Sequence, residues 1–452
     1  MRRWLFEKRL LRQPWVITVI LIAALPLLPE YAAPPLAIAA LAVAAVDARR
    51  HRRVYTVGTL GKWMLLYLLF FALGVAYSVA RLTTLVNWLM WFSMLTGYVA
   101  LHTVLTSKRR ISIALLGISG AAGVAGGIAV AQYLLKILGV IRHTEFWYPL
   151  DALAFRLSPV PVNLQIAGDR VCATFTNPNI LAEYLVMVIP FVAFYAFTGL
   201  RTKARLFSRG CLLAAVGGVM FTFARGSYLA LTAVAIVFAA ANLKRIGVVV
   251  LAAFSLASLL PASVAQRLFS ISRAKKSLPP ALADELATAL PGSDKAISER
   301  FQVWMTCWDN ILRHPLLGSG GGTTGTLLAE HGLNVPHAHN VVLQLLNEGG
   351  LVGLAIMLAA GFRALQTGVR LTRLKGDTRR VGVTVLAFLA GFGVNSMFEF
   401  PLFTPKLVGI FLTVLALIDA FGRVYLTLPA SPLAGMIPLP TRTQTDDPAS
   451  VK

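Results

Sequence analysis

The sequence predicts an all-α protein that crosses a membrane many times. Of its 452 residues, 57% are hydrophobic and only 13% are charged. The apolar residues form repeated, continuous runs of about 20, the length that an α-helix needs to span the ~30 Å hydrocarbon layer of a bilayer. Because apolar and polar residues do not alternate within these runs, a transmembrane β-barrel is excluded.

Twelve transmembrane helices are expected, interrupted by one large outer loop that contains amphipathic helices. Their predicted positions in chain order are about 15–29, 31–47, 60–80, 82–105, 111–139, 180–200, 206–222, 227–243, 246–262, 341–362, 381–398 and 404–422. The chain then divides into four parts. These are nine helices within 1–262 with a loop at 140–179, the large loop at 263–340, three helices within 341–425, and a tail at 426–452.

The basic residues set the expected orientation. The formal net charge is +23, and two thirds of the 42 Lys and Arg residues lie in short segments that share one side if the N-terminus is inside. The positive-inside rule therefore places both termini in the cytoplasm. Basic residues are dispersed between apolar runs, so nucleic-acid binding is not expected. The basic N-terminus resembles a signal peptide, but further helices follow at once, which favours an uncleaved first span.

The large loop is predicted to contain an amphipathic helix from Ile297 to His314. Its apolar residues recur at helical spacing, and Pro315 would end it. These apolar residues are Phe301, Trp304, Trp308 and Ile311. The following run, 318–323, is rich in glycine but lacks the Gly-Lys-Ser/Thr ending of a phosphate loop, so we interpret it as a flexible hinge. A disulfide between Cys172 and Cys307 is conceivable if both lie outside.

Candidate site residues cluster at the predicted outer ends of the helices. They are Asn177-Pro178-Asn179 with Glu183 one turn later, Arg225 between spans seven and eight, Arg300 in the loop helix, and His337, His339 and Asn340 before span ten. An imidazole suits proton transfer near neutral pH, and arginine suits bidentate binding of phosphate. Each residue also has a plainer interpretation, namely snorkelling for Arg225, a solvated or Glu299-paired face for Arg300, and capping for His339.

Three further expectations concern charge and metal. His337 and His339 stand two residues apart and would face different sides of a regular helix, so only one is expected to be catalytic. His331, His337 and His339 have no acidic ligand at regular spacing, so no metal site is expected. The carboxylates Glu183, Glu399 and Asp419 lie in or near predicted spans, where a carboxylate marks either a proton path or structural pairing. For Glu183 and Glu399 we favour pairing with outer arginines.

The motifs together resemble the superfamily of O-antigen ligases and O-antigen polymerases. The resemblance rests on His339-Asn340 followed after nine residues by Gly350-x-x-Gly353, on Asn177-Pro178-Asn179, on Ala224-Arg225-Gly226, and on Arg300-x-x-x-Trp304 leading to His314-Pro315-Leu316-Leu317-Gly318. It covers about residues 160–425.

This resemblance implies a glycosyltransferase without cofactor or metal at the periplasmic face of a Gram-negative inner membrane. The implied donor is O-antigen on undecaprenyl diphosphate, and for a ligase the acceptor is a sugar hydroxyl of lipid A–core oligosaccharide. By position, His339, Arg225 and Arg300 correspond to the essential residues of the superfamily. Asn340, Arg142, Arg170 and Arg267 are further candidates for diphosphate binding, and His337, Asn179 and Glu183 are secondary candidates.

Three alternatives stay open at this point. An O-antigen polymerase would use the same chemistry with a second lipid-linked glycan as acceptor. A protein oligosaccharyltransferase of the same superfamily is a second alternative. A lipid or polysaccharide transporter is a third, although it predicts repeat symmetry and polar paths through the membrane.

Overall fold

The computed structural model describes residues 13–52, 54–139, 170–198, 202–241 and 295–426. Within these ranges the protein is an all-α bundle of thirteen α-helices, and no residue of them lies in a β-strand. The helices are α1 Pro14–Ala24, α2 Ala33–Arg50, α3 Thr59–Tyr77, α4 Arg81–Val104, α5 Lys108–Ile137, α6 Pro178–Thr198, α7 Thr202–Thr222, α8 Arg225–Ala240, α9 Lys295–Arg313, α10 Thr324–Glu330, α11 Val341–Thr372, α12 Asp377–Ser396 and α13 Pro405–Phe421.

The described helices confirm a multi-pass membrane architecture. Eight of them are long and apolar enough to cross a membrane, and two shorter apolar helices, α1 and α8, accompany them. Eleven of the twelve predicted spans correspond to described helices, while the span predicted at 246–262 lies outside the described residues. Helix α11 runs to Thr372, ten residues beyond the end that the sequence predicts.

Small residues allow the helices to approach closely. At the contact of α5 with α7, a Cβ on Gly126 would stand 2.3 Å from the carbonyl oxygen of Ala214, so only glycine fits there. Helix α6 lies in the centre of the bundle, and about nine tenths of its most apolar stretch is buried. Close approach through glycine and alanine is the usual way in which membrane helices gain packing energy.

The membrane-embedded carboxylate Asp419 has a structural role. Its Oδ2 accepts hydrogen bonds from the Tyr98 hydroxyl at 2.5 Å and from the backbone N–H of Leu60 at 2.9 Å and of Gly61 at 3.4 Å. These donors tie α13 to the start of α3 and to α4. The arrangement corresponds to structural pairing of a buried carboxylate.

Helix α11 is broken at Gly350. This residue has φ 58° and ψ −160°, a conformation that is essentially restricted to glycine. The break separates a nine-residue helix, 341–349, from the long apolar helix 351–372. The backbone N–H of Leu351 and of Val352 donate to the carbonyls of Pro315 and Leu316, at 2.9 and 3.2 Å, so the loop after α9 caps the second helix.

The glycine-rich run is a fixed part of the fold and not the hinge that the sequence suggested. The backbone N–H of Ser319 donates to Asn347 O at 2.9 Å, and that of Gly320 donates to Glu348 O at 3.0 Å. Positive φ angles at Gly318 and Gly320 allow this close docking, since a Cβ on Gly318 would stand 2.4 Å from the Glu348 carbonyl. The glycines are therefore required for contact with α11.

Helix α9 confirms the predicted amphipathic helix. Its buried apolar residues are Val303, Cys307 and Ile311, of which Val303 and Cys307 pack with α10 and the segment before α11. Trp308, which the sequence grouped with Phe301, Trp304 and Ile311 as the apolar residues of this helix, is 48% exposed. Residue spacing alone cannot show which of two apolar faces on one helix is buried.

Candidate active site

Four segments meet at the carboxylate of Glu399, in the connection between α12 and α13. Glu399 is 6% exposed. Its Oε2 lies 2.8 Å from His339 Nδ1, and its Oε1 accepts from Arg300 Nη2 at 3.0 Å and from Asn179 Nδ2 at 2.7 Å. Three residues that the sequence selected from distant segments are therefore held by one acid.

A tight turn before α11 positions His339. This residue has φ +50°, which non-glycine residues adopt rarely and mostly where surrounding structure imposes it. Asn340 follows as the N-cap, and its Oδ1 accepts the backbone N–H of Val342 at 2.9 Å and of Leu343 at 3.1 Å. Asn340 thus acts as a cap in this structure.

His337 supports the same turn. Its Nδ1 accepts the backbone N–H of His339 at 3.3 Å, and the two rings lie with centroids 4.3 Å apart. The His337 ring also packs 5.1 Å from that of Phe403. The two histidines lie before the helix and their rings contact each other, so the predicted separation on two faces of a regular helix is wrong. Their other partners differ, since His337 contacts rings and backbone while His339 contacts a carboxylate.

Helix α9 brings Arg300 to the site. Trp304 Nε1 donates to the carbonyl of Ala338 at 2.9 Å, and the buried side of α9 packs on Ala338 itself. Ala338 immediately precedes His339, so the helix that carries Arg300 is fixed to the turn that carries the imidazole. The predicted pairing of Glu399 with an outer arginine is confirmed by the ion pair with Arg300.

Asn179 is held by Arg170 on the other side of the site. Arg170 Nε donates to Thr222 O at 2.6 Å, and its Nη2 donates to Asn179 Oδ1. Asn177 Oδ1 accepts the backbone N–H of Asn179 at 2.8 Å, which fixes the start of α6. Asn179 thus links Arg170 to Glu399.

Arg225 begins α8 and is exposed, next to the Glu399 segment. A Cβ on Gly226 would stand 2.8 Å from that of Phe398, so glycine is needed for this close contact. Ser227 Oγ also donates to Asn395 Oδ1 at 2.9 Å. These contacts place the N-terminus of α8 against the residue that precedes Glu399.

The remaining predicted site residues do not contact Glu399 through a hydrogen bond described here, or they lie outside the described ranges. Glu183 is 3% exposed, and its Oε2 has no hydrogen-bond partner among the described residues, so the predicted pairing with an outer arginine is not seen for that atom. Arg142 and Arg267 lie outside the described residues. His331 is exposed, its Nδ1 lies 2.9 Å from Leu327 O, and it is not in the group formed by His337, His339 and Glu399.

The electrostatics of the site determine which ring nitrogen of His339 is protonated. Burial would raise the pKa of Glu399, but His339 and then Arg300 outweigh burial and hold that pKa below its usual range. An ionised carboxylate can only accept hydrogen bonds, so the proton between them belongs to His339 Nδ1. In a neutral imidazole with the proton on Nδ1, Nε2 carries the lone pair and can accept a proton.

Burial, followed by the neighbouring His339, lowers the pKa of His337 to about 3. His337 is therefore neutral at pH 7, with Nδ1 as an acceptor for the His339 backbone. This assignment agrees with the hydrogen bond described above.

His337, His339 and Glu399 bring potential metal-ligand atoms within 4.8 Å of one another. The donors already present argue against a cation there. Both Glu399 oxygens accept hydrogen bonds, and the positive guanidinium of Arg300 stands 3.0 Å from one of them. The arrangement fits a histidine oriented by a carboxylate better than it fits a metal site.

Sequence reasoning missed Glu399 as the centre of the site. By sequence alone, Glu399 is a carboxylate near a predicted span. The available signal was its neighbourhood, an acidic residue within the aromatic run Phe398-Glu399-Phe400 between two apolar helices. An acid in such a place needs partners, but the sequence does not show that one of them is His339.

Comparison with known proteins agrees with the superfamily that the motifs resemble. Residues 210–358 match the protein family described as O-Antigen ligase. The matched segment contains Arg225, Arg300 and His339. This segment of the chain is therefore similar to the O-antigen ligase family. A search of curated proteins finds no match to this chain.

Proposed function

We propose that this protein is an O-antigen ligase. It transfers a glycan from undecaprenyl diphosphate to a sugar hydroxyl of lipid A–core oligosaccharide, at the periplasmic face of the inner membrane in lipopolysaccharide biosynthesis. The observation that carries the proposal is the hydrogen-bonded group of His339, Glu399 and Arg300 within a multi-pass membrane bundle. The match to the O-antigen ligase family supports the substrate class.

His339 acts as the general base in this proposal. Its Nε2 takes the proton of the acceptor hydroxyl as the oxygen attacks the anomeric carbon of the donor. Glu399 keeps Nδ1 protonated and stabilises the imidazolium that forms, which is the role of the acid in a catalytic triad. General-base catalysis of this kind is typically worth ~10²–10⁴-fold in rate.

The arginines stabilise the departing diphosphate. Arg300 uses one N–H group for Glu399 and is 31% exposed, so its guanidinium retains further donors for an anion. Arg225, exposed at the first turn of α8, adds a second positive charge. Arg170 has its Nε and Nη2 on Thr222 and Asn179, and its proposed contribution is to hold the site.

A single displacement follows from this arrangement. Glu399 already accepts three hydrogen bonds and is poorly placed to form a covalent glycosyl intermediate. One bond forms between the acceptor oxygen and the anomeric carbon while the bond from that carbon to the diphosphate breaks. The anomeric configuration therefore inverts, and undecaprenyl diphosphate is the leaving group.

Transfer by the purified protein in nanodiscs tests the proposed function. The donor is undecaprenyl-diphosphate glycan, offered with lipid A–core in one reaction and alone in a second, without nucleotide and with a chelator. Modified lipid A–core in the first reaction is the expected result. Chain growth on the donor alone identifies a polymerase, loss of transfer with chelator refutes metal independence, and no product in either reaction contradicts a transferase.

A further inference from the structure

Helix α9 has three faces, of which only one is buried in the bundle. The buried face contains Val303, Cys307, Asn310 and Ile311. A polar face at Gln302, Thr306, Asp309 and Arg313 lies on one flank of the buried face. The side most nearly opposite the buried face is a second apolar face, which we call the α9 stripe: Phe301, Met305, Trp308 and Leu312, spaced by three or four residues.

The α9 stripe is exposed in the part of the chain that the structure describes. Met305 is 46% exposed, Trp308 48% and Leu312 63%. Exposed apolar side chains in a row on one helix mark a surface that contacts something other than water. Phe301 is partly buried at the end nearer the active site.

The stripe continues into the lipid-facing surface of the membrane helices. Leu316 and Leu317, directly after α9, are 62% and 47% exposed. The Leu316 carbonyl caps the long apolar helix that begins at Leu351, and Leu351 is itself 53% exposed. Leu316 and Leu317 therefore connect the apolar surface of α9 with that of α11, and the exposed His314 lies in the same segment.

A second membrane helix meets the same surface. The hydroxyl of Tyr77, at the end of α3, donates to the carbonyl of Leu317 at 3.0 Å. Leu73 on α3 is 69% exposed and Val79 just beyond the helix is 65% exposed. Tyr77, Val79 and the segment 314–319 line an open groove of about 320 Å³. Tyrosine and tryptophan at such a level are typical of the boundary between hydrocarbon and water.

We propose that the α9 stripe lies in the outer leaflet of the bilayer, among phospholipid acyl chains, with the polar face toward water. An amphipathic helix of this kind lies in the plane of the interface, with its apolar face inserted by ~5–10 Å. Because the same helix carries Arg300, contact with lipid at its other end sets the position of that guanidinium. The inference concerns the surface and does not depend on the proposed function.

Nitroxide labels on single cysteines test this placement in nanodiscs of phosphatidylethanolamine and phosphatidylglycerol. The stripe variants are Met305→Cys, Trp308→Cys and Leu312→Cys, and the matched controls on the polar face of the same helix are Asp309→Cys and Arg313→Cys. The three native thiols are buried, and the unsubstituted chain measures any label that they take up.

Oxygen concentrates in lipid, so we expect the nitroxides on the stripe to collide more often with oxygen than with a water-soluble nickel chelate. At the control positions we expect more frequent collisions with the nickel chelate. A monodisperse elution profile shows that each labelled variant is folded. Higher exposure to the nickel chelate at the stripe would place it in water and overturn the proposal. Low exposure to both reagents would show that protein, from this chain or a second copy, covers the stripe and would also overturn it.

Discussion

The carboxylate of Glu399 makes three side-chain contacts, and each of them has a separate consequence. The contact with His339 sets the tautomer, the contact with Arg300 compensates the charge, and the contact with Asn179 fixes the start of α6. Glu399 is buried, so removing any of these partners leaves part of a charge without compensation. The acid is therefore a positioning residue whose effect should appear in kcat.

Glu399→Gln is expected to lower kcat for glycan transfer by on the order of 10²-fold or more while KM changes little. An amide cannot stabilise the imidazolium and can present a donor where His339 needs an acceptor. Steady-state transfer rates, with Asp377→Asn as an exposed carboxylate control, measure this. A Glu399→Gln variant with the wild-type kcat would show that His339 acts without the carboxylate.

Arg225→Lys is expected to reduce transfer by at least about tenfold, because a lysine ammonium cannot donate two parallel hydrogen bonds to a diphosphate. The exposed Arg363→Lys, in the second half of α11, is the matched control. Rates of transfer at saturating acceptor measure the effect. Wild-type rates in Arg225→Lys would return this residue to the snorkelling interpretation.

The lowered pKa of His337 predicts that the folded protein loses stability on mild acidification. Its pKa is about 3 in the folded state against a usual 6.5, so below pH 6.5 the unfolded chain binds a proton that the folded chain does not. Stability therefore falls as pH falls, by up to about 1.4 kcal/mol per pH unit. Glu399, whose folded pKa is lowered, adds to this loss only below its usual 4.5.

The measurement is the thermal midpoint of the detergent-solubilised protein between pH 6.5 and 4.5, compared with His337→Asn. Asparagine retains an acceptor for the His339 backbone but does not titrate. We expect a smaller decline in the variant. Equal declines in both proteins would assign the acid sensitivity to other groups.

Among the elements, α11 connects the active site to the membrane through its break at Gly350. Glu348 Oε1 accepts from Gln344 at 2.6 Å and from the Thr324 hydroxyl at 2.9 Å, which ties the helix before the break to α10. Asn347 joins the same buried network by donating to the Thr324 hydroxyl at 2.9 Å, and its Oδ1 accepts from Asn310 at 2.7 Å. Because of the break, the short helix capped by Asn340, next to His339, and the long apolar helix after Gly350 can follow each other directly in the chain.

Gly350→Ala is expected to destabilise the protein severely and to reduce transfer. A Cβ at Gly350 would stand 2.3 Å from the Leu316 carbonyl oxygen, and the backbone conformation is itself strained for alanine. Gly361→Ala, on the same helix, has no atom within 4 Å of the added Cβ and should leave stability unchanged or slightly raised. Thermal midpoints of both variants test this, and equal midpoints would contradict the role of the break.

The helices themselves could be predicted from sequence more easily than their contacts. Runs of apolar residues predicted eleven of the described helices because the bilayer requires a fixed length of apolar helix. The face of α9 and the docking of 318–323 could not be predicted in this way. Both depend on which surface of α11 lies opposite, and no local pattern records that.

The candidate site shows the same division. His339, Arg300 and Asn179 were identified from residue type, position at helix ends and motif resemblance, and the structure brings all three to Glu399. The importance of Glu399 could not be inferred, because its partners lie 60, 99 and 220 residues away in sequence. Long-range pairing of polar groups is decided by the packed bundle.

At the scale of the whole molecule, the protein combines a membrane bundle with a polar site at the ends of its helices. Such a site suits two substrates that are both anchored in lipid, since each can approach along the bilayer while its sugar meets the site. The O-antigen ligase family implies substrates of this kind. Only one of the two neighbouring histidines, His339, is seen to contact Glu399 in the described residues, so the central claim can be tested by one comparison.

That comparison is glycan transfer to lipid A–core by the wild-type protein, His339→Ala and His337→Ala, side by side in nanodiscs. We expect His339→Ala to lose transfer by at least ~10²-fold, because no other group takes the hydroxyl proton. We expect His337→Ala to retain most activity, since His337 supports the turn through one backbone contact. Full activity in His339→Ala, or loss confined to His337→Ala, would contradict the account.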